Sequence, residues 1–200
     1  MSHTMNQDPV PAGRETIRVP SGLVVLVGPP ASGKTSFVRA LIARRRIDAE
    51  AVVSSDEIRA EFLGEPPAGP DCDGDAVDAR VFEERDRRII ARLAAGRGAV
   101  AESTNVTPQA RARLLTIAHR FDVPVTVLRF TSDTTDLLRQ NSERARPDVS
   151  AADVRAYAAI MVRDAGTDQL RAEGAAAVHD VPGRRQGVTP VEAAERFSFC

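Results

Sequence analysis

Gly28-Pro29-Pro30-Ala31-Ser32-Gly33-Lys34-Thr35 places two glycines, a lysine and a hydroxyl residue at the spacing of a phosphate-wrapping loop. Backbone N–H groups in such a loop point at a phosphate, helped by the positive end of the helix that follows. Lys34 is the only lysine among 27 basic residues; the others are all arginine. An ammonium is a compact charge that reaches between two phosphates, where a guanidinium is a wide planar fork. The candidate triphosphate cradle is therefore Gly28, Pro29, Pro30, Ala31, Ser32, Gly33, Lys34, Thr35 and the adjoining Ser36. Lys34 would bridge the β- and γ-phosphates of ATP or GTP, and the Thr35 hydroxyl would coordinate Mg²⁺.

A second group follows Val52-Val53, in Ser54-Ser55-Asp56-Glu57-Ile58-Arg59. Transfer of a phosphoryl group to a hydroxyl often uses a carboxylate that accepts the hydroxyl proton. Asp56 can supply it. Arg59, three residues on, shares its helix face and can hold an anion beside the reacting hydroxyl. The same spacing also suits a helix cap followed by a surface cation.

These residues need strands and helices in a fixed order. Leu23–Val27 is a continuous apolar run, as in a parallel strand covered on both faces. The glycine-rich turn and a helix over about 35–46 come next. Further strands are expected near 51–53, 99–101, 124–130 and 176–181. Helices should cover about 55–63, 76–95, 107–121, 133–144 and 151–172, with a last helical stretch at 191–197. The alternation predicts a three-layer α/β/α fold on a mostly parallel, doubly wound sheet. Ligands then sit beyond the carboxyl ends of the strands. Residues 1–20 read as a loose leader, 21–182 as one domain with a helical lid at about 133–150, and 183–200 as a polar tail with a short helix.

Composition narrows the classes. Hydrophobic residues make up 42% of 200 and aromatics only 4%, so the core must be aliphatic. The net charge of −1 does not announce a nucleic-acid binder. Cys72 and Cys200 are too few for a disulfide framework or a metal cluster. No apolar run approaches the ~20 residues of a membrane span, and the N-terminus has no apolar signal core. A cytoplasmic setting is the expectation, and oligomeric state is not legible.

The set Gly28–Thr35, Ser54–Arg59, Glu102-Ser103-Thr104-Asn105-Val106 and Arg139-Gln140-Asn141-Ser142-Glu143-Arg144 resembles the P-loop polynucleotide 5′-kinase family of RNA end repair, over about residues 23–180. The resemblance implies Asp56 as general base, Arg59 as a contact to the acceptor's 3′-side phosphate, and a lid over the ATP phosphates in which Arg144 matches an arginine, with Arg146 nearby. It also implies Glu102 as holding a magnesium-bound water or orienting Lys34, and Asn105 as contacting the acceptor or holding the strand end. Two positions depart from it. Glu102 stands where the family usually has Asp, one methylene longer. Gln140 stands where the family has Arg, and Arg139 is rotated by ~100° from that position. This leaves transfer through Arg144 and Arg146, or weakened transfer.

A long nucleic acid needs a basic track and stacking aromatics. Arg44-Arg45-Arg46 lies far from the cleft. Arg85, Arg87, Arg88, Arg111 and Arg113 read as solvated faces, the helix arginines pairing with Glu83, Glu84 and Asp86. Tyr157 is the only tyrosine, and residues 64–75 are acidic. The expected activity is therefore ATP- and Mg²⁺-dependent transfer to a hydroxyl, of a polynucleotide or nucleotide 5′ end or of a small metabolite. A nucleotide-binding or slowly hydrolysing module without acceptor is the alternative.

Overall fold

The computed structural model describes residues 16–64, 74–144 and 149–200. Its central strand is β2 (Leu23–Val27), buried along its whole length. Around it run β3 (Val52–Ser54), β4 (Ala99–Glu102), β5 (Val125–Arg129) and β6 (Ala177–Asp180), all parallel, in the order β3-β4-β2-β5-β6. Val24 pairs with Val100 on one side and Thr126 on the other, so the register is fixed at the sheet centre.

Alternate side chains of each strand feed two cores. On one face Leu23, Val25, Val27, Ala101 and Val127 pack against α3 (Gly74–Ala94), α4 (Pro108–Arg120), α6 (Ala151–Asp164) and α7 (Thr167–Ala172). On the other, Val24, Leu26, Val100 and Leu128 pack against α1 (Lys34–Ala43) and α8 (Pro190–Glu195). The first crossover leads outward from β2 to β3 and the next leads back to β4. Right-handed connections therefore send their helices to opposite faces. α2 (Ser55–Gly64) starts directly at the end of β3, and α5 (Thr134–Glu143) follows β5. α5 and the start of α6 form a helical hairpin with its own small core of Leu137, Val154 and Ala158.

Three features differ from the sequence expectation. β1 (Ile17–Val19), inside the stretch read as a leader, pairs with β7 (Phe197–Phe199), inside the stretch read as a tail. Val188, Ala193, Ala194 and Phe197 are buried there, because their apolar side chains cover the α1 face of the sheet. The helix expected over 151–172 is two helices. It breaks at Ala165 and Gly166, where Arg111 donates to Asp164 O (2.6 Å) and Arg129 to Ala165 O (2.9 Å). Arg85 and Arg111 are not solvated; both are buried, Arg85 bonding Asp86 and Arg111 bonding Glu173. Among the described residues no helix is long and apolar enough to cross a membrane.

Candidate active site

Where β2 ends, the chain bends through Gly28 before α1 begins at Lys34. A Cβ at Gly28 would lie 2.7 Å from Ser32 Oγ and 2.8 Å from Phe130 Cβ, so only glycine fits. Gly33 has φ +95°, in the left-handed region that favours glycine. The loop is sewn to the end of β4, since Gly28 N–H donates to Thr104 O at 2.9 Å.

Lys34 is folded into this loop. Its Nζ donates to Gly28 O at 2.7 Å, Pro29 O at 2.8 Å and Ser32 Oγ at 3.3 Å. Burial lowers its pKa from 10.5 to about 7, against the raising effects of Glu102 and Asp56, while Arg144 lowers it further. Lys34 therefore senses Glu102, Asp56 and Arg144, which come from three other segments of the chain.

Thr35 Oγ1 donates to Glu102 Oε1 at 2.6 Å. Glu102 closes β4 and is buried, and burial raises its pKa although the Thr35 bond and the Lys34 charge oppose it. A hydroxyl and a carboxylate are hard oxygen donors suited to Mg²⁺. Among the described residues there is no cluster of three or more His, Cys, Asp or Glu able to hold a metal. A cation beside Thr35 and Glu102 would thus need phosphate oxygens to complete its shell, which is how Mg²⁺ is commonly held with nucleotides.

Asp56 sits in the first turn of α2, facing the phosphate loop across the cleft. Ser54 Oγ caps this helix by accepting from Glu57 N–H at 3.4 Å. Arg59, one turn further, is ion-paired with Asp78 of α3. Asp78 is a site residue that sequence reading missed. The pair spans 19 positions and two helices, and no local spacing signals it.

Two cavities meet at the phosphate loop. One, of about 290 Å³, lies beside Ser36 and Phe37 and is walled by Gln140, Arg184, Val188 and Ala193. The other, of about 480 Å³, holds Lys34, Thr35, Asp56, Arg59, Glu102 and Tyr157. Ser32, Gly33 and Arg144 line both. Arg144, at the C-cap of α5, is thus where the helical hairpin reaches both cavities. Gln140 faces the smaller cavity, whereas Arg139 pairs with Asp136 on the exposed side. Phe82 and Asp153, also missed in the sequence, line the larger cavity.

Of the expected residues, Lys34, Thr35, Asp56, Arg59, Glu102 and Arg144 converge on one cleft with Pro30, Ala31, Ser32 and Gly33. Ser36 lines the neighbouring cavity. Gly28 and Pro29 sit behind Lys34 as loop backbone. Asn105 does not join them. It is buried, with Nδ2 donating to Leu26 O at 2.9 Å, so it ties β4 to β2 instead of facing an acceptor. Arg146 lies outside the described residues.

The fold recurs in solved structures. A chain of the Pnkp1/Rnl/Hen1 RNA repair complex is 18% identical over 74% of this chain, with a TM-score of 0.59. This protein spans 45% of that chain. A candidate kinase from Chloroflexus aurantiacus is 20% identical with a TM-score of 0.57, over 87% of this chain and 92% of its own. Shikimate kinase from Acinetobacter baumannii, in complex with shikimate, is 16% identical with a TM-score of 0.52, over 88% and 90%. No curated protein matches the sequence. Residues 23–163, from the central strand through the helical hairpin into the last turn of α6, match the AAA domain family model, and the chain belongs to that family as a P-loop protein of kinase-like fold.

Proposed function

We propose that this protein is an ATP-dependent phosphotransferase that moves a γ-phosphate to a hydroxyl. The observation that carries the reading is the convergence of Lys34, the Thr35–Glu102 pair and Asp56 on one cleft. The nucleoside of ATP (or GTP) occupies the smaller cavity and the acceptor occupies the larger. The phosphates lie across the Ser32–Gly33 boundary between them.

The chemistry follows from these positions. Backbone N–H groups of the loop and the start of α1 hold the phosphates. Lys34 swings from the Gly28 and Pro29 carbonyls to the phosphate oxygens. Thr35 and Glu102 would hold Mg²⁺, which supplies charge neutralisation between the β- and γ-phosphates when bound. Asp56 accepts the proton of the acceptor hydroxyl as its oxygen bonds to the γ-phosphorus. The bond from that phosphorus to the bridging oxygen breaks, and the electron pair leaves on the β-phosphate of ADP. Arg144 neutralises charge on the group in transit.

The structural neighbours include a chain of an RNA repair complex and a shikimate kinase in complex with shikimate. A polynucleotide or nucleotide 5′-hydroxyl and a small-metabolite hydroxyl are both compatible with the Asp56 reading. Transfer of labelled γ-phosphate to 5′-hydroxyl oligonucleotides, nucleosides and sugars separates them. Asp56→Asn should retain ATP binding and lose transfer by about 10²- to 10⁴-fold. Undiminished transfer by that variant removes Asp56 from the base role. ATP binding with no acceptor labelled across the panel favours a regulatory nucleotide-binding module instead.

A further inference from the structure

The acceptor half of the larger cavity has a charge pattern that selects among hydroxyl compounds. Asp56, Asp78 and Asp153 line it with Glu102; of the cations among the described lining residues, Lys34 and Arg144 belong to the phosphate side and Arg59 to the acceptor side. That cation is engaged by Asp78 across the α2–α3 interface. A phosphate approaching Arg59 would meet the Asp78 carboxylate beside it, which offsets the charge of the guanidinium. Asp153 lies in the first turn of α6, in the capping box with Ser150. Its two bonds from Ser150, backbone (2.9 Å) and hydroxyl (2.7 Å), both end on Oδ2, leaving Oδ1 to accept from a ligand. These bonds also hold its pKa below the ordinary value, so it stays a carboxylate at neutral pH. Phe82 and Tyr157 add ring surface to the lining. The cavity, of about 480 Å³, has the volume of a small-molecule site.

Resting on the phosphotransfer reading, we propose that the acceptor is a small, uncharged or cationic polyhydroxyl compound of the sugar or amino-sugar type. Asp56 takes the reacting hydroxyl, Asp153 takes a hydroxyl or ammonium at the far end, and the Arg59–Asp78 pair excludes polyanions. Specificity here comes as much from carboxylates that repel a nucleic-acid backbone as from groups that attract the acceptor.

The test measures binding of glucosamine, glucose, gluconate and a 5′-hydroxyl hexanucleotide to protein saturated with a non-hydrolysable ATP analogue and Mg²⁺, at about 0.15 M salt. Glucosamine and glucose should bind more tightly than gluconate, and the hexanucleotide most weakly. Asp153→Asn, which keeps an oxygen for the Ser150 cap, should remove the advantage of glucosamine over glucose. Asp78→Asn should release Arg59 and improve gluconate and hexanucleotide binding about fivefold, the factor an exposed ion pair commonly supplies. Melting curves and saturation by the ATP analogue verify the fold of each variant. Tighter binding of the hexanucleotide or gluconate than of glucose by the unaltered protein overturns the proposal, as does failure of both sugars to bind. Failure to bind the ATP analogue strikes the phosphotransfer reading instead.

Discussion

Lys34 shows how a single side chain records the state of the site. With its pKa lowered to about 7 by burial, the nucleotide-free protein holds it largely neutral above that pH. Triphosphate oxygens replace carbonyl partners with full negative charge and restore the proton. Binding of Mg-ATP at pH 8.5 should therefore take up about one proton, falling to about half a proton at pH 7. Calorimetry in buffers of different ionisation enthalpy reads this directly, and zero uptake at pH 8.5 would refute it. The sign for stability is the reverse of a salt-bridged lysine. Between about 7 and 10.5 the unfolded chain keeps a proton that the folded chain has lost. This group therefore favours folding increasingly as pH rises through that window. Gly28 makes a steric counterpart. Gly28→Ala drives a methyl into Ser32 and the Phe130 side chain, and ATP affinity should fall about tenfold or more, a cost of at least ~1.4 kcal/mol, checked by titration. Both residues were legible in the sequence because a phosphate loop is a local motif with its own strand and helix. Arg59 was legible as a cation near Asp56. Its pairing was not, since Asp78 reaches it only through the packing of α2 on α3.

At the scale of elements, Arg111 joins parts that sequence treats separately. From α4 it donates to Asn105 O (3.1 Å) and Val106 O (2.7 Å) in the loop after β4. It also donates to Asp164 O at the end of α6 and to both carboxylate oxygens of Glu173. The loop it grips is the one whose Thr104 carbonyl accepts from Gly28 and whose Asn105 ties β4 to β2. One guanidinium thus fastens α6, the second helix of the hairpin, to the strand that presents Glu102. Periodicity on α4 cannot reveal this, because an arginine on a buried face reads as an error in an apolar stripe unless its carbonyl partners are known. Arg111→Met leaves those carbonyls and the half-buried Glu173 uncompensated, and should destabilise the protein by about 3 kcal/mol, read as a lower urea midpoint. Arg111→Lys should recover little, since one ammonium with three donors cannot reach all five acceptor atoms. Recovery of full stability by lysine would show that charge alone matters.

For the whole molecule, the first and last of the described strands meet on the α1 side of the sheet. β1 and β7 pair in parallel, and α8 lies against α1, the helix that Lys34 begins. Phe197 is fully buried, with its ring edge-on to Phe37 at 5.6 Å; Phe37 meets Phe130 in the same way at 5.4 Å. Phe130 is also the residue against which Gly28 is packed. A line of aromatic contacts therefore runs from the C-terminal segment to the first residue of the phosphate loop. The same segment supplies Val188, Pro190 and Ala193 to the wall of the smaller cavity. Sequence reading left it as a polar tail because its apolar residues are spaced singly among charges. Their burial depends on a partner strand 180 residues away. Phe197→Ala should cost about 3–5 kcal/mol of stability, visible in the urea midpoint. Its functional signature should be one-sided. The α8 wall loosens while Asp56, Arg59 and Asp153 keep their supports on the other face of the sheet. The ATP dissociation constant should then rise about fivefold or more, ~1 kcal/mol, with acceptor affinity measured at saturating nucleotide little altered. Saturating ATP should also raise the variant's Tm, since ligand binding shifts the folding equilibrium toward the native state. Equal losses for nucleotide and acceptor would mean that the aromatic line supports the whole cleft. Preserved ATP affinity in a destabilised protein would confine the C-terminal segment to covering the sheet.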